Sequence, residues 1–310
     1  MLRRVALLVA LILAACGSKD DPLERPALAW VRDASKSLEQ LLAEFYERYD
    51  TGYDRALVRE RVAKIATTLR EGLLKPDDSE QRRGMAIGVY LLTGDERLHF
   101  RKNAEGPSFR PDLVLEGGHG NCLGLATVFL LVAEELGVNA SAVLRPHPLH
   151  VLVDCGGDLF DLRESGFKPV SRPQRLLWSE VGSSRRFGAN LSRSQVVALH
   201  AITVAGLEVA DRREHARSAW ELYRLAAAVD PEGAAAQFGL AVAACVDGEE
   251  RQALEHVSRS VELNPLSAAA QLFKSELEGL RGNRVAADLA RRRAEEILGK
   301  QLSETAPMPE

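Results

Sequence analysis

Residues 120–137 of this 310-residue chain read GNCLGLATVFLLVAEELG. Residues 123–133 are apolar on every side of a helical projection, so they predict a helix that is buried all round. Asn121 is a suitable N-cap, and Leu136-Gly137 is a suitable helix stop. A cysteine in the first turn is stabilised as a thiolate by the N-terminal N–H groups and the helix dipole. Cys122 is therefore the candidate nucleophile.

The residues that follow predict a β-hairpin that carries a base and a carboxylate. Residues 150–155 (HVLVDC) and 158–162 (DLFDL) flank the dipeptide Gly156-Gly157, which is typical of a two-residue turn. Pairing outward from this turn sets Asp161 opposite Leu152, on the face that also carries His150. His150 and Asp161 become diagonal neighbours across the two strands. Cys122, His150 and Asp161 are thus predicted as nucleophile, base and orienting acid.

Alternatives remain for each supporting role. Asp154 shares the His150 face by alternation and is a second candidate for the orienting acid. His147, between Pro146 and Pro148, is a rival base. The backbone N–H of Cys122 and the side chain of His119 are candidate oxyanion donors. Cys155 has the opposite parity from His150 and is predicted to be a small buried residue.

Helical periodicity marks the region before residue 94. Apolar residues recur at helical spacing over residues 38–49 and 58–73, and a third helix is predicted over about 79–92, after an N-cap segment at 76–79. Residues 101–119 are rich in Gly and Pro and are expected to be irregular.

The last third of the chain repeats with a period of 34 residues. Asp230-Pro231 and Asn264-Pro265 are separated by this period, and so are Gly248 and Gly282. Small or apolar residues recur at the same spacing in three further columns: Ala219, Ala253 and Ala287; Ala226, Ser260 and Ala294; Val229, Leu263 and Ile297. This period resembles that of tetratricopeptide repeats, which are pairs of helices. Arg291 stands where a large apolar residue is usual, which suits a solvent-facing terminal repeat.

The N-terminus predicts a lipid anchor. Arg3 and Arg4 precede the apolar run 5–13, which is too short to span a bilayer and is typical of a signal peptide. The following Leu13-Ala14-Ala15-Cys16 resembles the lipobox of bacterial lipoproteins, and this resemblance implies that Cys16 is lipidated and becomes the mature N-terminus. Gly17 then favours the outer membrane by the same resemblance.

Composition excludes several functional classes. The formal net charge is −4, with 46 % hydrophobic and 27 % charged residues, so the chain is globular and lacks the basic footprint of a nucleic-acid binder. Metal-ligand spacings, a phosphate-binding loop and a dinucleotide fingerprint are absent from the sequence, so neither a metal nor a cofactor is expected.

The motifs together resemble the transglutaminase-like cysteine superfamily, and more narrowly its SirB-type branch with C-terminal tetratricopeptide repeats. The matching segments are residues 120–126, 136–137, 150–153, 159–161 and 190–191. The order of helical part, core and repeats covers most of residues 30–298. The resemblance implies an α+β, papain-like fold in which a buried helix packs on a small antiparallel sheet. It also implies Cys122 as nucleophile, His150 as base and Asp161 as third member.

We therefore expect five regions. These are a signal peptide (1–15), a tether (16–27), a transglutaminase-like domain with its N-terminal helices (28–187), repeats (188–298) and a disordered tail (299–310). The chain would be an envelope lipoprotein, on the periplasmic face of the outer membrane, that hydrolyses or transfers acyl groups at amide bonds. The alternative is a non-catalytic scaffold whose repeats bind a peptide or protein partner.

Overall fold

The computed structural model describes residues 28–49, 52–94, 97–100, 108–146, 149–162, 169–170, 187–211 and 216–304. Cys16 and the predicted signal peptide and tether lie outside these residues. No helix in the described ranges is long and apolar enough to cross a membrane.

Three capped helices form the N-terminal part, as the periodicity predicts. They are α1 (Leu38–Arg48), α2 (Arg55–Gly72) and α3 (Glu80–Thr93). Their N-caps, Ser37, Asp54 and Ser79, each accept a hydrogen bond from a backbone N–H in the first turn. Their buried faces join one hydrophobic core with the helix that follows Asn121.

The region expected to be irregular contains a short helix. After strand β1 (His99–Phe100), helix α4 (Pro111–Gly117) leads into strand β2 (His119–Gly120), which pairs with β1 in parallel. The prediction is wrong for residues 111–117 because Pro111 at the first helical position favours a helix start. Gly118, at φ 67°, ends the helix in the left-handed conformation.

Helix α5 (Cys122–Glu135) lies at the centre of the domain. Its residues from Leu123 to Ala133 are all buried, and Asn121 caps its N-terminus, as the sequence predicts. Gly137, at φ 66°, ends the turn that follows. Helix α5 contacts the three N-terminal helices, α4 and two strands of the sheet, so it is the element around which the domain packs.

The sheet is antiparallel and begins directly after α5. Its order is β3 (Ala140–Pro146), β4 (Leu149–Cys155), β5 (Asp158–Phe160) and β6 (Pro169–Val170). Gly156 and Gly157 both have positive φ and join β4 to β5. The pairs Val153–Phe160, Asp154–Leu159 and Cys155–Asp158 confirm the register predicted from the two-glycine turn. Strand β3 was not predicted.

The described residues after 192 form three helical hairpins. The hairpins are α6 (Arg193–Asp211) with α7 (Ala216–Val229), α8 (Ala234–Val246) with α9 (Glu250–Leu263), and α10 (Ala268–Leu280) with α11 (Arg284–Glu304). Helices α7, α9 and α11 begin at residues 216, 250 and 284, and α8 and α10 at 234 and 268, which keeps the 34-residue spacing of the sequence. The first hairpin packs on α1 and α5.

Two predicted boundaries need correction. Helix α11 continues to Glu304, so the expected disordered tail from residue 299 begins too early. Residues 188–191 are bonded to the edge of β3: Gly188 N donates to Leu144 O, and Leu191 N donates to Ala142 O. The junction with the hairpins therefore follows Leu191 rather than residue 187. The architecture belongs in general to the α+β class, with mixed helices and a small antiparallel sheet.

Candidate active site

Cys122 is the first residue of α5, as predicted, and is partly exposed although the helix behind it is buried. Asn121 Oδ1 accepts a hydrogen bond from Gly124 N at 2.9 Å. The N–H groups of the first turn have no carbonyl partner within the helix, so this end favours an anion such as a thiolate. Among the described residues, Cys122, Cys155 and Cys245 form no disulfide bond.

Gly124 allows a backbone segment to pass close to this helix end. A Cβ atom at position 124 would lie 2.5 Å from Ser108 O and 3.0 Å from the Cα of Phe109. Asn121 N also donates to Ser108 O. Packing therefore requires a glycine at position 124, two residues after Cys122. Residues 108–109 form one wall beside the first turn of α5.

The start of β4 lies at the same end of the domain as Cys122. A four-residue turn joins α5 to β3, and the two contact each other, so β3 runs back along the helix. At the C-terminal end of α5, Glu80 bonds the start of β3 and the end of β4. Its Oε2 accepts from Asn139 N, and its carbonyl oxygen accepts from Cys155 Sγ, each at 3.0 Å. Because β4 ends beside Glu80, its start points toward the N-terminal end of α5.

The two faces of the sheet have different surroundings. Val151, Val153 and Cys155 belong to the large core that contains α5, whereas Leu152 belongs to a separate small cluster with Val143 and Leu159. Residue 150 pairs with Arg145, and alternation groups this position with Leu152, on the face that α5 does not cover. A thiol–imidazole contact would therefore be made at the end of the sheet rather than across its middle.

Both candidate carboxylates are buried. Asp161 directly follows β5 and is 7 % exposed. Asp154 is 5 % exposed, and its Oδ1 accepts a hydrogen bond from Gly157 N at 2.9 Å, so it also stabilises the hairpin turn. His150 lies in β4, opposite Arg145. His147 lies outside the described residues.

Two other predicted roles are clarified by hydrogen bonding. Nδ1 of His119 bonds the carbonyl oxygen of Gly117, so Nδ1 carries the proton and a neutral ring leaves Nε2 as an acceptor. His119 therefore does not suit the oxyanion donor role in its neutral form. Cys155 is fully buried, as predicted, and burial together with the carboxylates of Glu80 and Asp154 raises its pKa to about 12.

A buried polar chain was missed by the sequence reasoning. Tyr46 Oη lies 2.7 Å from His200 Nδ1, and His200 Nε2 lies 3.0 Å from Thr127 Oγ1, which donates to Leu123 O at 2.7 Å. The chain links α1 and α6 to the first turns of α5. The only signal in the sequence is a threonine and a histidine within otherwise apolar helical runs.

A cavity of about 170 Å³ lies between the edge of β3 and the helical hairpins. Its walls are mostly apolar and include Leu144, Phe187, Ile202 and Phe238, with buried Asp230 among the polar residues.

Within the described ranges, no group of three or more His, Cys, Asp or Glu residues could hold a metal ion. Comparison with protein-family models and with curated proteins found no match for this chain.

Proposed function

We propose that this chain is a transglutaminase-like cysteine enzyme of the SirB type, with Cys122 as nucleophile, His150 as base and Asp161 as orienting acid. It would act on amide or peptide bonds in the bacterial envelope. The observation that supports the proposal is the position of Cys122: a partly exposed thiol in the first turn of a helix that is otherwise buried. That is a suitable environment for a reactive thiolate.

The proposed reaction has two acyl-transfer steps. The Cys122 thiolate, formed when His150 takes the thiol proton, attacks the amide carbonyl and forms a C–S bond. The imidazolium then gives this proton to the leaving amine as the C–N bond breaks, which leaves a thioester. Water or a second amine attacks the thioester and restores the thiol, which gives hydrolysis or transamidation respectively. Asp161, buried beside the hairpin, would hold the imidazole in position.

Two further parts of the proposal concern location and partners. Cys16 would be lipidated, which would tether the chain to the outer membrane on its periplasmic side. The hairpins α6–α11 would be tetratricopeptide repeats that present a peptide or protein partner to the site. Their 34-residue spacing and the burial of Ala219, Ala253 and Ala287 support this assignment.

Site-resolved alkylation tests the enzyme proposal. With iodoacetamide at pH 7, Cys122 should react about tenfold or more faster than an unstructured cysteine, because a larger share of it is thiolate. Buried Cys155 and Cys245 serve as internal references and should react slowly. His150→Ala should remove the excess rate at Cys122. If His147→Ala removes it and His150→Ala does not, the assignment of the base is wrong.

One observation favours a second candidate function, a non-catalytic scaffold. Position 150 shares its sheet face with Leu152, and α5 packs on the opposite face. If the imidazole does not reach Cys122 around the end of β4, the transglutaminase-like unit would only support partner binding by the hairpins. Slow, equal labelling of Cys122, Cys155 and Cys245 in the folded protein would favour this candidate.

A further inference from the structure

The last helix exposes two apolar residues where the earlier hairpins carry charges. Val285 and Leu289 are 82 % and 70 % exposed. One repeat earlier, the same positions hold Arg251 and Glu255, which form an exposed ion pair on α9. Two repeats earlier, they hold arginine and glutamate again, at 217 and 221. The apolar pair is therefore a specific departure of α11 from its own repeat pattern.

These residues do not lie on the face where a further repeat would stack. In α9, which another hairpin follows, Leu254, Val257 and Val261 are buried or packed against the core. In α11 the matching positions hold Asp288, Arg291 and Glu295, all exposed. The stacking face is thus closed by polar residues, as expected for a terminal repeat. Val285 and Leu289 have no such explanation.

Arginines are frequent in the sequence on both sides of the apolar pair. Residues 279–294 contain five arginines and one aspartate, although the whole chain has a net charge of −4. Arg281, Arg284, Arg291 and Arg292 are exposed, and none makes an ion pair among the described residues. Leu280, at the end of α10, adds a third apolar side chain that is 58 % exposed.

We propose that this surface docks on an anionic phospholipid membrane. The α11 patch consists of Leu280, Val285 and Leu289 with Arg281, Arg284 and Arg292, which lie outside the stacking positions. The arginines would bind lipid phosphates, and the apolar side chains would enter the boundary between headgroups and acyl chains. The proposal rests on the lipid anchor of the proposed function only for proximity: residues 16–27 can span at most about 40 Å.

The same observations disfavour other occupants. A second copy of the chain would bring the same excess of positive charge against itself, which opposes pairing. A hydrophilic polyanion would use the arginines but would leave Val285 and Leu289 exposed to water. An anionic bilayer satisfies both the charges and the apolar side chains.

Vesicle sedimentation tests the proposal. The full chain and its Val285→Arg/Leu289→Glu variant, which restores the residues of the earlier repeats, are compared on phosphatidylglycerol–phosphatidylcholine vesicles at low salt. We expect binding of the variant to be about tenfold weaker, and binding of the wild type to fall on pure phosphatidylcholine or at high salt. Contributions from the N-terminus are common to both chains. Arg251→Gln/Arg259→Gln removes two arginines of α9, outside the patch, and should leave binding unchanged.

Several outcomes decide the matter. The comparison is repeated with Cys16→Ser in both chains, so that no lipid can be attached at that residue. If Val285→Arg/Leu289→Glu still weakens vesicle binding, the patch binds the membrane independently of a lipid anchor. Equal binding of the wild type and the Val285→Arg/Leu289→Glu variant would overturn the proposal. So would a dimer in sedimentation velocity that this variant abolishes, since the occupant would then be a second copy. Urea unfolding should give the same midpoint for the wild type and the Val285→Arg/Leu289→Glu variant, because both positions are exposed. Equal midpoints show that a loss of vesicle binding is not a loss of folding.

Discussion

The hydroxyl of Tyr46 lies 2.7 Å from Nδ1 of His200, inside the core where α1 meets the first helical hairpin. Burial raises the pKa of Tyr46 well above its usual range, so the phenol keeps its proton and donates it to Nδ1. His200 Nε2–H then donates to Thr127 Oγ1, whose proton goes to Leu123 O. Every proton in this chain has an acceptor, which fixes the neutral tautomer of His200.

This neutral histidine should make stability depend on pH. Burial lowers the pKa of His200 from 6.5 to about 3, so between these values the unfolded chain binds a proton that the folded chain does not. Stability is therefore fully present above about pH 6.5 and falls as the pH decreases. The expected slope from this group is about 1.4 kcal/mol per pH unit between about pH 6 and 4.

Urea unfolding at several pH values measures this slope. His200→Leu should be less stable at pH 7, because it leaves the Tyr46 hydroxyl without its acceptor, and its stability should change less between pH 6 and 4. His256 is the control: burial lowers its pKa too, but it is only half-buried, so His256→Gln should change the slope less. An unchanged slope in His200→Leu would contradict this account.

A second prediction concerns the contact between α3 and β4. A Cβ atom at Gly84 would lie 2.5 Å from Sγ and 2.6 Å from Cβ of Cys155. Both elements are packed in the core, so Gly84→Ala should destabilise the protein by about 1–3 kcal/mol in urea unfolding. Gly279→Ala on α10, where nothing lies within 4 Å, should instead be neutral or stabilising. Adding Cys155→Ala should relieve part of the cost at Gly84, since the sulfur is removed.

Much of the fold follows from local sequence signals. Apolar periodicity and caps predict α1, α2, α3 and α5, and the two-glycine turn predicts the β4–β5 register. The missed elements have weaker signals. Strand β3 follows α5 after a short turn, and it is held as a strand by its pairing with β4. This pairing is a tertiary contact that the local sequence pattern does not report. Helix α4 has seven residues, too few for a clear periodicity.

The candidate site could be predicted only in part. The sequence predicts that Cys122 begins a helix and that His150 lies in a strand, because these positions depend on local pattern. It also predicts a strand that includes Asp161, but β5 ends one residue earlier, at Phe160. Which face of the sheet α5 covers depends on how Val151 and Val153 pack against distant helices, and no local pattern reports this. The Tyr46–His200 contact joins residues 154 positions apart and was likewise not predictable.

A third prediction tests the hairpin turn that sets the register. Gly157 has φ 92°, and a Cβ atom there would meet nothing within 4 Å, so backbone strain is the only cost of a side chain. Gly157→Ala should destabilise the protein by about 1 kcal/mol, and Gly157→Asn by less, because asparagine tolerates positive φ better. Thermal or urea unfolding of the two variants would show it. Equal stability of the wild type and the alanine variant would contradict the turn geometry.

The fourth prediction concerns a buried ion pair at the start of α4, both members of which also bond the loop before α2. Arg110 Nη2 lies 2.5 Å from Asp112 Oδ2 and 2.6 Å from Gly52 O, and Asp112 Oδ2 also accepts from Asp54 N at 3.1 Å. Arg110 and Asp112 are 8 % and 3 % exposed. Replacing one partner leaves the other charge buried, so Arg110→Met or Asp112→Asn should each cost about 3–5 kcal/mol.

The double variant Arg110→Met/Asp112→Asn distinguishes a true pair from two separate contributions. With both charges removed, no charge is left buried without its counter-charge, so the loss should be clearly smaller than the sum of the single losses. Urea unfolding of all four chains at pH 7 gives the coupling. Additive losses would mean that the contacts to Gly52 and Asp54, and not the attraction between the two side chains, hold the loop against α4.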